Sequence, residues 1–112
     1  MAHKIKLIVY PVKDVEAAKM LYSKYLGTEP YVDSAYYVGY KQEDHEVGLD
    51  PNGQAVVAYI DVPDIKTSLQ ELLGSGAEIQ QGVKDVGGNL LIAQVKDSNG
   101  NVLGLRQPPK ST

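Results

Sequence analysis

Two alternating stretches organise this chain. From Ile5 to Val12 apolar and polar side chains alternate with the period of a β-strand, and the run ends in Val12-Lys13-Asp14-Val15. Ala55 to Val62 alternates in the same way and ends in Val62-Pro63-Asp64-Ile65. After each ending the spacing of apolar positions changes to that of a helix. The two Asp residues stand 50 positions apart in a chain of 112. A self-similarity over nearly half the length means one structural unit used twice.

The first unit predicts a strand, then a helix capped by Asp14 and running from Val15 to about Leu26. Val15, Ala18, Leu21, Tyr22 and Tyr25 fall on one helical face, and Gly27 ends the helix. Tyr31, then Tyr36 to Lys41, and then Glu46 to Leu49 read as short strands, with Gln42-Glu43-Asp44-His45 as a polar turn. Asp50-Pro51-Asn52-Gly53 is a strong breaker and marks the junction between halves. In the second unit Asp64 caps a helix from Ile65 to about Leu73, whose buried face is Ile65, Leu69, Leu72 and Leu73. Strands follow over Ala77–Gln81, Leu90–Val95 and Val102–Gln107. Asp97-Ser98-Asn99-Gly100-Asn101 is the turn between the last two, and Lys110 to Thr112 reads as a frayed tail. Each half is thus strand, helix and three strands, with half-modules of about 1–52 and 53–112 in a single domain. The fold class is α+β. Neither half buries enough surface to stand well alone. Side by side they would form one curved mixed sheet with helices on its convex face.

Composition narrows the functions. The formal charge is −3, which argues against nucleic acid and anionic membranes as partners. No run of about 18 apolar residues suggests a membrane span, and the N-terminal segment enters a strand directly instead of resembling a signal peptide. There is no cysteine, so disulfides, thiolate catalysis and cysteine-based zinc sites are excluded. A cytoplasmic location fits these features. The aromatic set is eight Tyr with no Phe and no Trp. Tyrosine fills a core while carrying a hydroxyl to a partner.

Three groups of residues resemble the vicinal oxygen chelate superfamily, which contains the glyoxalases, bleomycin-resistance proteins and extradiol dioxygenases. They are Val12-Lys13-Asp14-Val15 leading to Leu21-Tyr22 and Leu26-Gly27; Val62-Pro63-Asp64-Ile65 with Gly74-Ser75-Gly76-Ala77; and Asp97-Ser98-Asn99-Gly100-Asn101-Val102-Leu103-Gly104-Leu105. The resemblance spans essentially the whole chain and implies the glyoxalase/bleomycin-resistance fold. It also implies a homodimer, since such proteins usually complete their cavities with a second chain.

Enzymes of this superfamily hold a divalent metal with His, Gln or Glu on the first strand of a half and Glu on its last strand. Carried onto this sequence, those positions are Leu7, Gly48, Val57 and Gly104. None offers a side-chain oxygen or nitrogen to a cation. No metal and no cofactor is therefore expected, and glyoxalase, dioxygenase and metal-dependent transferase activities become improbable.

Strand alternation then selects what faces the cavity. Ile8, Tyr10, Val12, Ala58, Ile60 and Val62 should face the helices, as should Val47, Leu49, Leu103 and Leu105. Val9, Val57 and Tyr59 should form an apolar wall, with Glu46, Asp61, Arg106 and Tyr37 as polar or aromatic groups around it. That is the make-up of a small-molecule pocket. Arg106 has a competing role as a structural ion pair with Glu46 or Asp61, and Tyr37 as an ordinary strand or interface residue. His3 and His45 lie in a terminus and a turn and carry no catalytic arrangement. The sequence thus points to a metal-free protein that binds a small, partly apolar molecule. The alternative is an enzyme of the same superfamily acting through polar side chains such as Glu46 or Asp61, or through an unrecognised metal site. A third reading has the pocket filled by the chain's own tyrosines.

Overall fold

A computed structural model describes residues 3–109. The tail expected over residues 110–112 lies outside them. The elements are β1 (Ile5–Pro11), α1 (Val15–Leu26), β2 (Val32–Asp33), β3 (Val38–Gln42), β4 (His45–Asp50), β5 (Val57–Asp61), α2 (Ile65–Gly74), β6 (Glu78–Asp85), β7 (Leu91–Lys96) and β8 (Val102–Gln107). They form two compact units, one holding residues 6–57 and the other built on the chain from Ala58 onward. Both are βαβββ, so the α+β class and the repeat read from the sequence are the architecture of the protein.

The two units have matching pairings. In the first, the strand order is β2-β3-β4-β1; β1 runs parallel to β4, while β3 is antiparallel to β4 and to β2. In the second, the order is β5-β8-β7-β6, with β5 parallel to β8 and β7 antiparallel to both β8 and β6. A parallel pair cannot be joined by a tight turn. In both units the helix and two further strands come between its members.

Capping fixes where each helix begins. The Asp14 carboxylate accepts from the Ala17 backbone N–H at 3.0 Å, and that of Asp64 accepts from Thr67 N–H at 3.3 Å. These are the caps expected of both residues. A second acceptor reinforces α2, because Gln107 Oε1 takes the Ile65 N–H at 2.8 Å. Gly27, at φ 71°, ends α1 in the left-handed conformation.

Each helix covers one face of its own strands. In the second unit Val62, Ile65, Leu69, Ala93, Val95 and Leu105 form the buried cluster, with Leu72 and Leu73 packed against it. The predicted buried face of α2 is therefore correct. In the first unit the cluster is Val38, Tyr40 and Leu49, against which Val15, Ala18, Tyr22 and Leu26 pack. The Tyr40 hydroxyl pairs with Ser23 Oγ at 2.8 Å and donates to the Lys19 carbonyl at 3.2 Å, so this fully buried tyrosine is satisfied by α1.

Two expectations for the first unit need correction. Leu21 and Tyr25 do not lie on the buried face of α1; they are 64% and 90% exposed. The seam instead follows Val15, Ala18, Tyr22 and Leu26, a rotation that a stripe of apolar residues wider than the contact could not reveal. Tyr31 and Tyr36–Tyr37 are not strand residues either, since β2 holds only Val32–Asp33 and β3 starts at Val38. Ser34 folds the segment between them into a turn. Its Oγ accepts from the N–H groups of Tyr36 and Tyr37 at 3.2 and 3.1 Å, and its own N–H donates to the Tyr37 carbonyl.

The turn of Asp97–Asn101 is organised by one carboxylate. Asp97 Oδ1 accepts from the N–H groups of Asn99 and Asn101 at 2.8 and 2.9 Å. These bonds, that from Asn101 foremost, hold its pKa below the usual carboxylate value.

The β3–β4 hairpin closes through Glu43-Asp44, and Glu43 has φ 51°. A side chain there costs about 1 kcal/mol. Glu43→Gly should therefore raise stability by about 0.5–1 kcal/mol, read as a higher urea midpoint at unchanged slope.

Candidate functional site

The sheet face of each unit that turns away from its helix carries the candidate residues. In the first unit Val9, Gly48 and Gly39 are aligned in register across β1, β4 and β3. Leu7, Glu46 and Lys41 form the next row in the same direction. Alternation puts both rows opposite the Tyr40–Leu49 core. Leu7 and Val9 are buried, as are Gly39 and Gly48.

Two adjacent glycines leave a bare strip of backbone, and tyrosine rings lie on it. A Cβ at Gly48 would overlap the Tyr37 hydroxyl and stand 2.7 Å from Cζ of that ring. A Cβ at Gly39 would stand 3.1 Å from Tyr37 Cε2 and 3.2 Å from Tyr31 Cε1. The Tyr31 hydroxyl donates to Glu46 Oε1. The Lys41 ammonium sits over the Tyr31 ring, 4.5 Å from its centroid. Val9, Tyr37 and Glu46, singled out in the sequence, are thus together here.

The second unit repeats the device with a different source for the ring. Tyr59, Gly104 and Gln94 are aligned in register across β5, β8 and β7. The Tyr59 ring leans over Gly104, so that a Cβ there would stand 2.7 Å from Tyr59 Cγ and closer still to the ring edge. Its hydroxyl accepts from Gln94 Nε2 at 2.8 Å. Tyr59 is only 6% exposed and Val57, which opens β5, 7%. In the next row Asp61 faces Arg106. Arg106 donates through Nε to Asp61 Oδ1 at 2.7 Å and through Nη2 to Oδ2 at 3.1 Å. This is a two-pronged, largely buried ion pair between neighbouring strands. Of the two roles open to Arg106 in the sequence, the pairing with Asp61 is the one the geometry displays.

Tyr31, Lys41, Gln94 and Gly39 escaped the sequence reading. The available signal was the coincidence of abundant tyrosine with glycine at alternate strand positions. It does not say which ring lies on which glycine.

The residues at the superfamily's metal positions do not fit a metal. Leu7 and Val57 are hydrocarbon, and Gly48 and Gly104 have no side chain. The space a carboxylate would need at those two glycines is taken by the rings of Tyr37 and Tyr59. Among the described residues, no three His, Asp or Glu side chains converge on a point where an ion could sit. No described helix is long and apolar enough to cross a membrane.

No family model and no curated protein matches the chain. Solved structures do. A hypothetical protein from Bacillus halodurans is similar at a TM-score of 0.82, with 10% identity over 100% of this chain and 99% of its own. A glyoxalase/bleomycin resistance protein/dioxygenase superfamily member from Vibrio splendidus is similar at 0.71, with 18% identity over 95% of this chain and 98% of its own. The methylmalonyl-CoA epimerase of Streptomyces coelicolor is similar at 0.73, with 14% identity over 96% and 98%. The chain has the glyoxalase/bleomycin-resistance fold, as the motifs in its sequence imply. Enzymes and proteins of other kinds share that fold, so it leaves the activity open.

The ring-on-glycine contact makes a sharp prediction. Gly104→Ala should cost about 1–3 kcal/mol because the Tyr59 ring must move, whereas Gly82→Ala, with nothing within 4 Å of the new methyl, should change stability little. In a Tyr59→Ala background the same Gly104→Ala change should cost little, since no ring remains for the new methyl to meet. Arg106→Ala should lower stability by about 2–3 kcal/mol by leaving Asp61 partly buried without its partner. Equilibrium urea unfolding of these variants checks both statements.

Proposed function

We propose that the protein binds a small, partly apolar molecule without the metal used by superfamily enzymes, on the face carrying Val9, Tyr37 and Glu46. One observation carries this reading. Apolar surface, two tyrosine rings and a carboxylate converge on a strip of backbone that two glycines leave bare. Such a mixture gives contact area to an apolar body and a directional bond to its polar end. The counterpart face of the second unit has a different character, with a buried tyrosine held by glutamine and a closed Arg106–Asp61 pair. In this reading Val57, Tyr59, Asp61 and Arg106 maintain the fold. The protein works as a homodimer, since a short chain gains buried area by pairing.

A thermal-shift screen of aromatic and antibiotic-like compounds should yield ligands that raise the melting temperature saturably. Glu46→Gln should then weaken a ligand with a polar end about tenfold, the loss of one charged hydrogen bond of about 1.5 kcal/mol. Ni, Zn, Mn or Fe ions should leave the melting temperature unchanged. A wild type that no compound stabilises, or stoichiometric metal retained through dialysis against a weak chelator, would rule the proposal out. Light scattering at high micromolar concentration tests the dimer.

A further inference from the structure

The repeat provides an internal comparison for the outer faces of the two helices. The caps Asp14 and Asp64 stand 50 positions apart, so each residue of α1 has a counterpart 50 positions on in the second unit. On the buried side the two helices agree. Val15 corresponds to Ile65 and Tyr22 to Leu72, and all four pack against the strands of their own unit. On the solvent side they differ. Met20, Leu21 and Tyr25 of α1 are 75%, 64% and 90% exposed. Their counterparts Gln70, Glu71 and Ser75 are exposed too, but polar. The βαβββ unit therefore folds with polar residues at these places, and packing within the unit does not call for the apolar ones.

Ala17, Leu21 and Tyr25 follow one another at helical i, i+4 spacing with Met20 beside them, so they make one stripe along α1. Tyr25 alone presents about 200 Å² and the stripe roughly 450 Å², a patch of the size that marks an interaction site on a soluble protein. The ends of the helix are complementary to each other. Glu16 lies in the first turn and Lys24 in the last. Glu16 reaches Lys19 of its own helix at 3.4 Å, yet its side chain is 80% exposed. Two copies of α1 laid antiparallel about a two-fold axis at Leu21 would stack Leu21 on the partner's Leu21 and fit the small Ala17 beside the large Tyr25 of the other copy. They would also bring each acidic first turn beside a basic last turn, whereas a parallel pair would set like charges together. Two such stripes bury roughly 900 Å² of apolar surface, and their polar margins bring the total to about 1,200 Å², the low end of specific interfaces. The formal charge of −3 and the acidic first turn disfavour an anionic membrane as the occupant.

We propose that the exposed stripe of α1 is a self-association surface through which two copies of this chain pair antiparallel. The proposal rests on the homodimer reading above and assigns the surface that makes the dimer. An interface of this size gives a weak pairing that depends on concentration. The stripe lies on the far side of α1 from the strands it covers, and the face carrying Val9 and Glu46 is the side of those strands that α1 does not cover. Association and ligand binding are thus separate events on opposite sides of the unit.

Analytical ultracentrifugation of the full chain from low to high micromolar concentration tests the pairing. The decisive variant is Met20→Gln/Leu21→Glu/Tyr25→Ser, which gives α1 the residues that the second unit carries at the same places. The wild type should pass from monomer to dimer as concentration rises. In the variant association should weaken at least about tenfold, with the urea midpoint not lowered. Glu16→Lys and Lys24→Glu should each weaken the dimer, and the two changes combined in one chain should restore it, because the antiparallel contacts are then exchanged in sign. A triple variant that associates as the wild type does, or a combined charge exchange that restores nothing, would overturn the proposal. If the triple variant does not fold, the charge exchange decides, since both residues are exposed. The two readings fail differently. A wild-type dimer that none of these changes affects removes the α1 surface and leaves the homodimer standing on another face. A wild type that stays monomeric at high micromolar concentration removes both.

Discussion

The contact on which both candidate faces depend is a tyrosine ring resting on a glycine of a closing strand. It works in one direction only. A ring can lie flat against backbone only where no Cβ rises from it, and Gly48 and Gly104 meet this condition, with Gly39 beside Gly48. Glycine in a strand sacrifices conformational entropy and side-chain packing. The ring supplies packing in compensation, so glycine and tyrosine are a coupled pair whose members cannot be exchanged independently. Tyr59 shows the full form of the device, since its hydroxyl crosses Gly104 to reach Gln94 on the far strand and links three strands through one side chain.

The same contact bears on the four positions where superfamily enzymes carry metal ligands. A metal site needs donor atoms that converge, and donors need side chains at the places where this chain has none. Glutamate cannot be placed at Gly48 or Gly104 without other change, because its first carbon would collide with a phenol ring. The ion pair of Arg106 with Asp61 belongs to the same economy. It satisfies charges that would otherwise be available to a ligand, and it does so between neighbouring strands where geometry permits two parallel hydrogen bonds.

The halves have diverged in how they place the ring, although their pairing schemes agree strand for strand. In the second half the ring is part of the sheet. In the first it is delivered by a turn, beside a second tyrosine, a carboxylate and an ammonium group.

Much of the fold could be read directly from the residues. Asp14 and Asp64 announce their helices because an N-cap is a local interaction, satisfied within three residues. The alternation of β1 and β5 announces strands because side-chain direction in a strand has a fixed period. Leu7 and Val57 were legible as counterparts of the superfamily's metal positions because they lie seven residues before those same caps, and Gly104 because it lies three residues after the turn residue Asn101. Other features were settled only by tertiary structure. The stripe of α1 was wide enough to permit two seams, and packing against Tyr40 and Leu49 selected Val15, Ala18, Tyr22 and Leu26 over Leu21 and Tyr25. Arg106 pairs with Asp61 because strand register sets the two opposite each other. The tyrosines lay in the sequence as composition alone. That the ring of Tyr59 would cover Gly104 depended on strands far apart in the chain being brought side by side, and no local rule carries that information.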